Sequence, residues 1–167
     1  MEKEEFMQKL KEAEDLRDPR VVCPCCGRNA QIYKRKFGVE MAVFLTKLVA
    51  KTQEKEKWYT IPEVLGEAQV GKQKVATDGT YLVHWGLVQK PDAKTAKILG
   101  GSKGLYRPTT RGKAFVLQAE KRTAAAFAPL YIRLYNNELY EVCPEQVTLL
   151  ELLPGGAQQW KELLYGD

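Results

Sequence analysis

Three of the four cysteines in this chain fall within four residues, Cys23-Pro24-Cys25-Cys26, and are followed by Gly27. The C-x-x-C spacing of Cys23 and Cys26 lets a tight turn face two thiolates toward one ion, and Gly27 accepts the positive φ that such a turn needs. A structural zinc takes four ligands, however, and the chain has no second C-x-x-C. The remaining soft candidates are Cys25, Cys143 and His84. Cys143 follows an expected strand, ELYEVC, that can pair beside the turn, whereas Cys25 points away from the pair in a turn of this kind. Two readings stand: a structural zinc on Cys23, Cys26 and Cys143 or shared between protomers, and a metal-free turn. The clustering does not resemble a spaced disulfide framework, so a reducing compartment is expected. No βαβ pattern surrounds the motif, which weighs against a redox dithiol.

Little else could run a reaction. The chain has one histidine, no Ser/His/Asp grouping, no paired carboxylates on one helix face and no phosphate loop, so it reads as a non-enzyme. Gly100 to Gly104 lacks the G-K-[ST] of a P-loop. His84 stands beside Trp85 at an expected helix end, where a hydrogen-bonded packing role fits best. Cys25 is the only conceivable nucleophile.

Charge is the second chemical signal. The net +5 divides into seven acids and four bases over residues 1–18, eight acids and twenty-one bases over 19–133, and six acids and one base over 134–167. A basic block of that size favours a polyanionic partner, with nucleic acid first. Lys34-Arg35-Lys36 would meet phosphates there, or simply protect an exposed sheet edge from association. No apolar run approaches the roughly 18 residues of a membrane span, and MEKEEFMQKL lacks a signal-peptide core, so a cytoplasmic protein without a membrane partner is expected.

The elements that must position these residues follow from periodicity and caps. Residues Glu4 to Arg17 carry Phe6, Leu10 and Ala13 at helical spacing, a narrow stripe that suits a packing or dimerisation arm or a solvated helix. Ala30 to Phe37 alternates as a strand. Val39 to about Thr52 places Met41, Phe44, Leu45, Leu48 and Val49 on one broad apolar face. Thr60-Ile61-Pro62-Glu63 is a capping box that starts a short helix. A third helix is expected from about Lys72 to Trp85, although Gly79 costs about 1 kcal/mol relative to Ala and delays its regular start to Thr77 or Asp78. Gly86 stops it, Leu87 to Lys90 is a strand, Pro91 to Gly104 a flexible excursion, and Leu105 to Pro108 a returning strand. Thr109 or Thr110 caps a helix bearing Phe115, Val116 and Ala119. Pro129 to Cys143 reads as a hairpin turning at Asn136-Asn137. VTLLELL is then a short helix, and an acidic last turn carries Trp160, Leu163 and Leu164.

The residues WGLV and GLYRPTTRGKAF resemble the second half of a winged helix-turn-helix domain, where the recognition helix turns into the wing and the second wing strand meets the closing helix. The CPCCG turn is similar to a zinc knuckle. Together with YKRK, LVHWGLV and the YIRLYNN hairpin, these motifs resemble a group of small proteins encoded by bacteriophages and prophages, over about Arg20 to Leu152. The resemblance implies an α+β fold with a winged-helix core and action in the cytoplasm of a bacterial host. The expected divisions are an arm over 1–18, the knuckle and basic strand over 19–37, the winged domain over 38–128, and a hairpin with an acidic tail over 129–167. In such a domain Lys72, Gln73, Lys74, Thr77 and Thr80 would lie toward bases or adjoining phosphates of double-stranded DNA, while Lys94, Lys97, Lys103 and Arg107 track the backbone. The leading expectation is a DNA-binding protein in transcription regulation or another phage DNA transaction. The alternative is a non-enzymatic module that binds and inhibits a host bacterial protein, with the arm and the acidic tail as its contact surfaces.

Overall fold

Val39 to Glu54 has the chain's widest apolar face, and it forms the longest helix, α2 (Val39–Glu54), in the computed structural model, which describes residues 2–66, 79–101 and 104–166. The expected Met41, Phe44, Leu45, Leu48 and Val49 are all buried. Thr46 and Thr52 are buried as well, and their hydroxyls donate back to the carbonyls of Ala42 and Val49 at 2.7 and 2.8 Å, so no polar atom is left unsatisfied there. The fold is α+β with small antiparallel sheets. No helix among the described residues is long and apolar enough to cross a membrane.

The chain separates into two compact units, one of Met1–Lys36 with Tyr131–Pro144 and one of Phe37–Leu130 with Glu145–Asp167. In this division the 131–144 hairpin belongs with the N-terminal region.

In the larger unit, α2 leads to β4 (Tyr59–Thr60) and α3 (Ile61–Leu65). The capping box forms as expected: Thr60 Oγ1 accepts the Glu63 N–H at 3.3 Å and the Glu63 carboxylate accepts the Thr60 N–H at 3.2 Å. Residues 67–78, and with them Lys72, Gln73, Lys74 and Thr77, lie outside the described residues. The C-terminal part of the expected 72–85 helix is a 3-10 turn over Gly79–Val83, continued by bonds from His84 N to Tyr81 O and from Trp85 N to Leu82 O. A Cβ at Gly79 would stand 2.9 Å from the Phe44 ring, so this backbone is pressed against α2 where only glycine fits.

Gly86, at φ +73°, closes the turn as expected. β5 (Val88–Gln89) follows, and β6 (Leu105–Pro108) lies between β4 and β5 in a three-stranded antiparallel sheet, pairing Tyr59 with Tyr106 and Gln89 with Arg107. The excursion between β5 and β6 is not the irregular loop expected. It holds α4 (Ala93–Leu99), because Asp92 caps the Thr95 N–H at 2.7 Å and the run AKTAKIL contains good helix formers. Thr109 then caps α5 (Thr110–Leu117), accepting from Gly112 N at 3.0 Å and donating to the Gly86 carbonyl at 2.6 Å. One hydroxyl thus ties the new helix to the turn before β5.

The remainder of this unit contains a pairing that local pattern does not reveal. β7 (Phe127–Pro129) pairs with β10 (Gln146–Thr148), so the first residues of VTLLELL are strand and only α6 (Leu149–Leu152) is helix. α7 (Gly156–Tyr165) packs back through buried Trp160 and Leu164, and the Trp160 indole N–H reaches the Val116 carbonyl at 2.8 Å. Trp85 similarly donates to the Pro129 carbonyl at 2.7 Å, and its ring meets Phe37 edge-on at 5.5 Å.

In the smaller unit, α1 (Lys3–Ala13) is a packing element: Phe6 and Leu10 form a buried cluster with Ile32. The expected 30–37 strand is two strands. β2 (Asn29–Ala30) pairs with β1 (Val21–Val22), while β3 (Tyr33–Lys36) pairs with β8 (Tyr131–Tyr135), and buried Ile32 marks the break between them. β9 (Glu138–Val142) completes the β3-β8-β9 sheet. Asn136 and Asn137 turn the hairpin at φ +53° and +59°, the left-handed pair expected of them. Glu14, just past α1, meets Arg133 at 2.7 Å with both side chains largely covered.

Candidate functional site

Cys23 to Gly27 occupies the tip of the β1–β2 hairpin. Cys23 N donates to Arg28 O at 2.8 Å and Gly27 N to Cys23 O at 2.9 Å, with Gly27 at φ +72°. This closed turn directs the backbone N–H groups of Cys26 and Cys25 at the Cys23 sulfur, and they hold its pKa below the ordinary thiol value by favouring the thiolate. Cys25 and Cys26 are exposed. Cys23 and Cys26 line one open cavity of about 350 Å³ together with Arg28, Gln31, Tyr33 and Tyr135.

Cys143 does not join them. It is buried at the end of β9, where its sulfur lies 3.2 Å from the Tyr131 N–H and its own N–H reaches the Tyr131 carbonyl at 3.1 Å. Among the described residues no group of three or more His, Cys, Asp or Glu side chains could hold a metal ion. His84 is half-buried, its ring tilted 30° against Tyr81 at 6.3 Å. Burial first, and the Lys90 charge second, lower its pKa below the ordinary histidine value.

The basic residues separate into two groups. Lys34 and Lys36 are exposed on β3 and stand opposite Arg133 and Tyr131 in register, so they share one sheet face with them. Lys34 lies over the Tyr131 ring at 4.0 Å and Arg35 over Tyr33 at 5.5 Å. In the larger unit, Lys94 and Lys97 are exposed on α4, a helix that buries none of its side chains. Arg107 stacks over Trp58 at 4.3 Å. The Lys113 ammonium holds the Glu56 pKa, and the Thr95 N–H the Asp92 pKa, below the ordinary carboxyl value, with the Arg107 charge a lesser contribution to each. Thr80 lies in the 3-10 turn, and Lys103 is outside the described residues.

Three neighbours of these sites are not apparent from sequence pattern. Trp58 carries Arg107, Lys90 lies 5.8 Å from the Tyr106 ring, and Arg28 borders the thiols. Only Arg28 carries a signal, its position directly after CPCCG.

Folding also redistributes charge. The 50 residues of the smaller unit hold nine acids and ten bases, while the larger unit holds twelve and sixteen. The acidic tail residues thus share a unit with most of the basic ones. No protein-family model, no curated protein and no solved structure matches the chain.

Proposed function

We propose that the chain is a duplex-DNA-binding protein of winged-helix type, acting in transcription regulation or another DNA transaction of the phage kind that its motifs resemble. The observation that carries this reading is the sheet order β4-β6-β5, with α2 before β4, α3 following β4, α5 after β6, and two exposed lysines on the β5-to-β6 excursion. A central returning strand flanked in this way suits a three-helix core with a wing. In that arrangement the segment 72–80 enters the major groove with Lys72, Gln73, Lys74, Thr77 and Thr80, and Lys94, Lys97, Lys103 and Arg107 follow the phosphates. Arg107 is the least available of these, because Trp58 holds it beside two carboxylates.

Fluorescence anisotropy with a labelled duplex at several salt concentrations tests the reading. Lys94→Glu with Lys97→Glu is expected to weaken binding and to lower the salt slope by about 1.8, near 0.9 for each phosphate that is no longer neutralised. Lys72→Glu with Lys74→Glu is expected to abolish it. Binding that is unchanged in both double variants overturns the assignment. One observation favours a host-protein partner instead: Ile98, on the same exposed helix, is 80% exposed, with Leu99 beside it also open. Stoichiometric capture of a host protein that Ile98→Glu abolishes, with no salt-sensitive DNA binding, would favour that second reading.

A further inference from the structure

We propose that Cys23 and Cys26 form half of a four-thiolate site for a zinc-class divalent ion, completed by the same two cysteines of a second copy of this chain.

The turn brings Cys23 and Cys26 to one cavity. Both thiols border one open cavity at the tip of the β1–β2 hairpin, and the bonds from Cys23 N to Arg28 O and Gly27 N to Cys23 O hold the turn closed. Among the described residues no third His, Cys, Asp or Glu joins them. Cys143, the natural candidate for a third thiolate, is buried against the Tyr131 N–H. Structural zinc is tetrahedral and takes four protein ligands, so two thiolates leave half of its shell for other ligands to fill.

A second copy can supply those ligands. An isologous contact brings the same patch to itself across a two-fold axis, converting one C-x-x-C into a set of four cysteines. The patch suits such a contact, since Val22 and Tyr33 are exposed apolar side chains beside the exposed Cys25 and Cys26. With nine acids against ten bases, the smaller unit has little net charge to oppose pairing. Four thiolates around a divalent ion leave about two negative charges in excess. Arg28 borders the thiol pair, so two copies supply two guanidinium groups to offset them. On binding, each of the four thiols releases its proton to solvent, four metal–sulfur bonds form, and the ion sheds its waters. No electron changes hands. A unit of only 50 residues also gains from such a staple, because a core of that size buries little surface.

The full-length chain, stripped of metal under reducing conditions and titrated with Zn2+ or Co2+, provides the test. Light scattering with elemental analysis is expected to give a dimer carrying about 0.5 ion per chain, a monomer after chelation, and the dimer again on adding Zn2+. The Co2+ form should show sulfur-to-metal charge-transfer bands and strong visible d–d bands of a tetrahedral sulfur site. Cys23→Ser and Cys26→Ser should remain monomeric and lose most of the bound ion, whereas Cys25→Ser and Cys143→Ser should dimerise like the parent. Because chelation of the unmodified chain gives the same readout, a misfolded variant does not decide the matter. One ion per monomer, no retained ion, weak octahedral cobalt bands, a metal-independent dimer, or loss of the ion in Cys143→Ser would each overturn the proposal.

Discussion

The two units of this chain solve the problem of staying folded by different means. Of the twelve largest fully buried side chains among the described residues, ten lie in the unit of Phe37–Leu130 and Glu145–Asp167, and only Leu10 and Ile132 lie in the other. The larger unit is held by apolar burial around α2, with two indole N–H groups satisfied by backbone carbonyls. The smaller one relies on the Phe6, Leu10 and Ile32 cluster, a largely covered ion pair and a thiol turn. The difference also separates their chemistry. All four cysteines belong to the nearly neutral unit, while the larger unit carries most of the excess positive charge.

If this contrast holds, damage to either unit should be read mainly within it. Trp160→Ala should have the largest effect, about 3–5 kcal/mol, because it empties a buried indole site and removes the indole donor from the Val116 carbonyl, which keeps the longer contact from the Ala119 N–H at 3.4 Å. Denaturant unfolding followed by circular dichroism would measure that loss, and amide exchange in β3 and β8 should change little. Equal loss of protection in both units would show that they unfold as one.

A smaller effect is expected at Glu14. Its carboxylate accepts from Arg133 Nε at 2.7 Å, and removing it leaves a largely covered guanidinium with the Tyr131 ring and the distant Glu141 carboxylate, 3.9 Å from Arg133 Nη1. Glu14→Ala should cost about 1–3 kcal/mol, read as faster amide exchange in α1 and β8 while the larger unit's melting is unmoved.

The smallest effect concerns His84. Its folded pKa lies below its unfolded value, so the unfolded chain takes up the proton first as pH falls. The stability associated with neutral His84 is therefore present above the unfolded value, about 6.5, and is lost as pH drops through it toward the folded value. Melting of the parent between pH 8 and 5 should show this loss. His84→Gln should flatten it without altering the rest of the acid response.

Much of the local structure is legible in the sequence. The Thr60/Glu63 box, the Thr109 cap, the Gly86 stop and the Asn136-Asn137 turn all form where their chemistry places them. The excursion after Pro91 is harder to read, because its glycines and lysines suggest a loop and mask the Asp92 cap and the helix-forming AKTAKIL between them. Of the candidate site, the Cys23/Cys26 turn is equally legible, while the place of Cys143 is not. A strand's alternation shows which residues share a face, but it does not say which distant strand will pair with it.

By itself, the sequence determined the features that depend on a few neighbouring residues: helix caps, left-handed turn positions, the apolar face of α2 and the thiol spacing. These rest on hydrogen bonds and φ angles that close within a turn of chain. Only the tertiary structure decided that β3 pairs with β8, that β7 pairs with β10, that Cys143 stays with Tyr131, and that a basic central block divides between two units. The physical reason is that apolar burial is strong but has no direction. It requires that these faces be covered, and leaves the choice of partner to the packing of the whole chain.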